Sequence, residues 1–194
     1  MAGKVFIRDG NIFEGGMDLT ALPCSSKKTI TSSALTWVKL FGLTAPEDMR
    51  ERLKLGQITR PRLFTGDKSF TKHYTWAASV FNDRSTPEAL EEIGKALGQW
   101  TVANAAIRNV ETPLLGTGHG RLSDEDSAKG LSRGFLQTAD NDANLFVFAY
   151  GSQRFDKLRS SLVEGKWGNF WKAVHIRPGI FGVSLDLKKL IGSE

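Results

Sequence analysis

The chain has 194 residues and a mass of 21.4 kDa, enough for one domain with a full hydrophobic core. Its 40% hydrophobic and 24% charged residues are those of a globular protein. No apolar run approaches the roughly 20 residues of a membrane-spanning helix, so membrane insertion is excluded. A formal charge of +5 and a pI near 9.4 favour an anionic or phosphate-bearing partner, although no Lys/Arg block or basic–aromatic alternation marks a nucleic-acid segment. The opening "MAGKVFIRDG" has no signal-peptide apolar region, and the single Cys24 cannot form an internal disulfide. Both features predict a cytoplasmic location.

Val5 to Ile7 and Met17 to Leu22 are short apolar runs on either side of an "EGG" turn and read as strands. A helix is expected over 32–41. A second is expected in "TAPEDMRERLKLG", with Thr44 as N-cap, Pro46 in the first turn, Glu47 as the capping-box acid and Gly56 at the end. Residues 60–64 and 73–81 read as a strand pair joined across "TGDKS". The longest helical pattern spans 86–108, where Leu90, Ile93, Leu97, Trp100, Asn104 and Ile107 follow a 3.6-residue period behind a Ser85 or Thr86 cap and Pro87.

A strand over 109–115, a helix over 124–138, a strand over 144–150 and a helix over 152–163 follow. This alternation predicts an α/β domain with helices on the faces of a largely parallel sheet. The domain is expected to occupy residues 1–163. Residues 164–194, with Trp167, Phe170 and Trp171 close together, are expected to pack back as a small β-rich extension.

The segment "VETPLLGTGHGRLSDED" carries the most chemistry. Gly116, Gly118 and Gly120 alternate immediately after a predicted strand and before a predicted helix. In open α/β sheets ligands bind beyond the carboxyl ends of the strands, and alternating glycines let successive backbone N–H groups form a concave anion site. Thr117 adds a hydroxyl donor. The pattern fits neither a Walker A loop nor a dinucleotide fingerprint. Ser123 caps the following helix, and Asp124, Glu125 and Asp126 fill its first turn. Those acids repel an anion on the helix axis, so a phosphate is expected in the loop itself, with Arg121 offsetting them. A tight strand-to-helix turn without a ligand is the alternative account of the same glycines.

Element order and loop together resemble the macro domain, a three-layer α/β/α fold with a mixed, largely parallel sheet whose members mostly bind ADP-ribose or its derivatives. The resemblance covers roughly residues 4–163. It is carried by "VFIRDGNIFEGGMDLTALP", by "HYTWAASVF" with the helix after it, and above all by "PLLGTGHGRL". It implies that Gly116, Thr117, Gly118, His119 and Gly120 wrap the diphosphate and distal ribose. Asn11 stands where the family often has an Asp for the adenine amino group, with Asp9, Gly10 and Ile12 on the same turn. Tyr150 or Phe155 would stack on a base.

At "PCSSKKTITSSA" the chain departs from the resemblance: many members have an Asn-rich segment and a glycine run there, but here no glycine lies between Gly16 and Gly42. Lys27 and Lys28 could supply phosphate-binding charge instead.

The protein is therefore expected to bind an ADP-ribose-like nucleotide as a reader or sequestering protein, with no cofactor and no metal. Three other readings stay open at this point: a divergent ADP-ribosyl hydrolase, a nucleic-acid module using segments 50–62 and 154–172, and an interaction protein using the Trp-rich tail. His119 can serve as pocket wall or as acid–base group. Cys24 is expected to be an inert, partly buried thiol, and Trp37, Trp76 and Trp100 to be core.

Overall fold

The computed structural model describes residues 3–12, 16–50, 52–65, 71–164 and 174–177. Seven strands, β1 (Lys4–Asp9), β2 (Met17–Ser25), β3 (Arg62–Leu63), β4 (Thr71–Val80), β5 (Asn109–Pro113), β6 (Asn144–Ala149) and β7 (Val174–Arg177), form one sheet in the order β3-β4-β2-β5-β6-β1-β7. All neighbours pair in parallel except β3, which is antiparallel to β4 at one edge. Helices α1 (Ser32–Phe41), α2 (Pro87–Ala103), α3 (Asp124–Thr138) and α4 (Ser152–Val163) supply most of the crossovers that parallel pairing requires. Among the described residues no helix is long and apolar enough to cross a membrane.

Strands covered on both faces need apolar side chains at successive positions, and "VFI" and "LFVFA" supply them. Val5, Ile7, Leu145 and Val147 join one core cluster with Leu90, Ile93 and Leu97 of α2, Leu131 and Phe135 of α3, and Phe155 of α4. Phe6, Phe146, Phe148, Leu22 and Trp76 face the other way and pack with Ala34 of α1 and with Leu43, Met49 and Leu53. The layers are thus three helices, the sheet, and one helix with an irregular segment.

That irregular segment replaces the helix expected after Thr44. Among its described residues only a 3-10 turn forms, Pro46–Asp48, with Ala45 at its N-cap. The sheet competes for this chain. Trp76 Nε1 donates to the Thr44 carbonyl at 3.0 Å, the Thr44 N–H reaches the Tyr74 hydroxyl at 3.1 Å, and Met49 and Leu53 are buried in the second core. Further on, Gly56 N–H bonds Ala78 O at 2.9 Å and Thr59 N–H bonds Trp76 O at 2.8 Å. The segment satisfies the outer edge of β4, which a helix could not do.

The helix expected over 86–108 stops at Ala103. Asn104 is its C-cap, and the Asn104 side chain accepts from Ala106 N–H at 3.0 Å. Of the tail, the described part adds β7 beside β1. Trp167, Phe170 and Trp171 lie outside the described residues, as does the "TGDKS" turn after Thr65.

Two devices lock the layers. The Asp18 carboxylate, 5% exposed, accepts from Arg108 N–H at 3.0 Å, Asn109 N–H at 2.9 Å and Lys72 Nζ at 2.7 Å, tying the start of β2 to the start of β5. Burial alone would raise its pKa, but the bonds from Lys72, Asn109 and Arg108 outweigh that and hold it below the ordinary 3.8. The second device is the α2–α3 contact. A Cβ on Gly94 would lie 2.3 Å from Leu131 O, and one on Gly134 would lie 1.9 Å from Glu91 O. The two backbones touch where glycines face each other.

Candidate functional site

The carboxyl ends of β2, β4 and β5 open on a cavity of about 330 Å³. Cys24 and Ser25 come from β2, Ser79 and Val80 from β4, and Pro113 from β5; Gly116, Gly118 and His119 of the glycine loop close one side. Ile30 and Thr31, just before α1, and Trp37 within it close another. The position is the one that parallel α/β sheets favour for ligands, since every strand delivers its following loop to that edge. The volume is at the lower end of the range for small-molecule sites.

The three loop glycines have different physical reasons. Gly116 sits at φ +73°, and a Cβ there would meet the Ser85 hydroxyl at 2.4 Å. At Gly120 a Cβ would lie 2.4 Å from Gly116 O. These two let the loop fold on itself against the turn that precedes α2, where Ser85 N–H bonds Gly120 O at 2.9 Å. Gly118 differs. It lines the cavity, is exposed, and a Cβ on it would meet nothing within 4 Å. Fold packing does not account for it.

Around Gly118 the backbone donors are unspoken for. Leu122 N–H bonds Gly116 O and Arg121 N–H bonds Gly118 O, each at 3.0 Å, but among the described residues no acceptor meets the N–H groups of Thr117, Gly118 or His119. Consecutive free N–H groups at a cavity wall are the donors from which an anion-binding nest can be built.

Two expectations about this loop need correction. The Thr117 hydroxyl is not a free donor, because it donates to Leu114 O at 3.0 Å and accepts from Arg154 Nη2 at 2.8 Å. Asp124, first of the acids in the α3 first turn, is offset by Arg154, not Arg121. Arg154 Nε donates to Asp124 Oδ2 at 2.8 Å, and its Nη2 donates to Asp124 Oδ1. This forked pair raises the Arg154 pKa and cancels the charge nearest the loop. Glu125 pairs with Lys129, and Asp126 with the Ser123 hydroxyl. Arg121 is exposed at φ +56°.

The other expected residues fall in three places. Asp9 and Gly10 end β1 half-buried, Asn11 is exposed beside them, and Ile12 is buried among the second core cluster. Tyr150, 74% exposed, stands just past β6. Since β6 lies between β5 and β1, this group lies along the same sheet edge as the loop, on the strands that follow β5 in the sheet. Phe155 is 4% exposed in the first core and cannot stack on a base. Lys27 is exposed on a tight turn and is not among the cavity-lining residues, while Lys28 Nζ bonds the Met49 carbonyl at 2.5 Å.

Burial pushes the Cys24 thiol up to about 12, so it is no nucleophile at neutral pH. His73 and His175 pack within the sheet, the latter stacked on Phe6 at 5.2 Å. Trp76 is fully buried, whereas Trp37 is half-buried and lines the cavity. Sequence reasoning missed Ser79, whose buried hydroxyl has no partner among the described residues, because an isolated Ser in an apolar strand carries no motif.

No protein-family model and no curated protein sequence matches the chain. Solved structures do match. The macrodomain of Mycobacterium tuberculosis DarG superposes with a TM-score of 0.62 at 18% identity, over 75% of this chain and 97% of that one. A mutant of the Oceanobacillus iheyensis macrodomain gives 0.64 at 13%, over 81% and 90%. Another mutant of that macrodomain, with ADPR, gives 0.59 at 11%, over 81% and 91%. The chain therefore has the macrodomain fold, in a divergent form: a mixed, mostly parallel seven-stranded sheet between helical layers.

Proposed function

We propose that the protein binds an ADP-ribose-like nucleotide, with the diphosphate on the nest at Thr117 to His119 and the terminal ribose in the cavity below. The observation that carries this reading is Gly118, a residue with open space around it and unpaired N–H groups on both sides. A Cβ there would obstruct the ligand and not the fold. In support, a macrodomain of the same fold is known with ADPR, and Arg154 removes the repulsion that Asp124 would otherwise exert. The adenosine then extends along the strand ends towards Asp9, Gly10, Asn11 and Tyr150. Arg121, exposed at the end of the same loop, borders the phosphates.

The role that fits is reader or sequestering protein. Asp83 and His119 are the acid and the imidazole on the cavity wall, both exposed at its mouth. Isothermal calorimetry with ADP-ribose and ADP tests the reading. Heat of binding is expected for wild type and none for Gly118→Asp, which places a like charge where the diphosphate lies. Absence of binding by every adenosine diphosphate ligand overturns it.

The nucleic-acid alternative draws on a second cleft of about 470 Å³, between residues 52–60 and α2, lined by Arg52, Arg60, Lys95 and Trp100 together with Glu92. RNA or DNA binding that falls steeply with salt and survives Gly118→Asp would favour that reading.

A further inference from the structure

The free N–H groups of the glycine loop are held in different ways. A planar trans peptide, the only kind among the described residues, turns its N–H away from its own C=O, so an anchored carbonyl aims the next N–H. Gly116 O accepts from Leu122 N–H and Gly118 O from Arg121 N–H, each at 3.0 Å. Those bonds aim the N–H groups of Thr117 and His119. The peptide between Thr117 and Gly118 has no such anchor, since among the described residues no donor meets Thr117 O. The direction of the Gly118 N–H therefore depends on how Thr117 itself is held.

Its side chain holds it. Thr117 Oγ1 donates to Leu114 O at 3.0 Å and accepts from Arg154 Nη2 at 2.8 Å. With proton and lone pair both engaged, the side chain keeps one χ1, and χ1 is coupled to the φ and ψ of its own residue. Arg154 is a stiff source for this bond. Its Nε donates to Asp124 Oδ2 at 2.8 Å and its Nη2 to Asp124 Oδ1, a fork that a lysine could not copy. Both ends of the bridge are anchored. Phe155, the next residue of α4, is buried in the first core, and Ser127 of α3 donates to Leu115 O at 2.7 Å.

We infer that Arg154 is the positioning residue of the loop: acting through the Thr117 hydroxyl, it directs the Gly118 N–H, the one donor of the nest that no backbone bond aims. This role is separate from cancelling the charge of Asp124. For its ligand, the diphosphate, it rests on the nucleotide reading above.

The test measures ADP-ribose dissociation constants by calorimetry and, without ligand, the Gly118 amide resonance by NMR. Arg154→Met/Asp124→Asn removes both charges together with the brace, so a residue that served only as counter-charge would leave affinity at the wild-type level. The expected result is a loss of about tenfold, the scale of one broken side-chain network. Thr117→Val leaves the Arg154–Asp124 pair intact and is expected to lose about as much, while Thr117→Ser keeps the hydroxyl and should bind as wild type. Adding Thr117→Val to the charge-neutral variant should cost nothing further, because one network is being cut. In the ligand-free proteins the Gly118 resonance should shift or broaden in both weakened variants, with the amide of Leu131, fully buried in α3, unmoved as the control for folding. Wild-type affinity in the charge-neutral variant, or additive losses, overturns the positioning role and leaves the nucleotide reading intact. If wild type binds no adenosine diphosphate ligand, that reading falls; the Gly118 resonance then decides the brace alone, and an unmoved one overturns it.

Discussion

At the residue scale, the loop glycines separate fold from function. Gly116→Ala forces a side chain into the left-handed region and against Ser85, and is expected to lower stability by about 2 kcal/mol or more in urea unfolding. Gly118→Ala meets only open space, so unfolding should change by no more than about 0.5 kcal/mol while nucleotide affinity falls. The reverse pattern would make Gly118 structural and remove the main support for the site. Cys24 gives an independent check. With its thiol pushed up to about 12 by burial, alkylation at pH 8 should be negligible in the native protein and rapid once it is unfolded. The pattern G-x-G-x-G was visible in the sequence. Which glycine the fold leaves unpacked was not, because that depends on Ser85, thirty-one positions before Gly116.

At the element scale, α2 and α3 meet through Gly94 and Gly134, each too close to a backbone carbonyl for a Cβ. Alanine at either site gains helix propensity of roughly 1 kcal/mol, yet the helices must separate to admit it. Overpacking is expected to win by about 2 kcal/mol, lowering the melting temperature of Gly134→Ala by roughly 4–8 °C in a scan. Two successive G-x-x-x-G spacings, Gly94 to Gly98 and Gly130 to Gly134, were the available signal for this contact. The strand junction at Asp18 predicts a pH dependence. Its folded pKa lies below the ordinary 3.8, so its contribution is complete above that value and is lost as pH falls through the lower, folded value. Asp18→Asn should therefore be less stable than wild type at pH 7, and the gap should close at the acid end of a urea-unfolding series.

For the whole molecule, stability and ligand are linked. A nucleotide at a hundredfold excess over its dissociation constant should add about 2.7 kcal/mol to unfolding. Because the nest is built of backbone N–H groups, that gain should change little between low and moderately high salt, whereas a polyanion on the basic cleft should lose affinity steeply. A steep salt dependence of nucleotide binding would show that exposed lysines and arginines, not the loop, hold the phosphates.

The α/β class, the parallel strands and the glycine loop at their carboxyl edge were legible in the sequence, because apolar runs, caps and glycine spacing act within a few residues. The segment after Thr44 shows the limit. Its cap and periodicity describe a helix, but the unpaired edge of β4 and the indole of Trp76 draw the same chain into an extended path. Likewise the acids of the α3 first turn suggested repulsion until Arg154, thirty residues away from Asp124, proved to be the counter-charge of Asp124. Local chemistry determined which elements could form and where the glycine loop would fall. Only tertiary contact decided which donors remain free, which charges are cancelled and what lines the cavity, since each of these requires groups from strands and helices far apart in the chain.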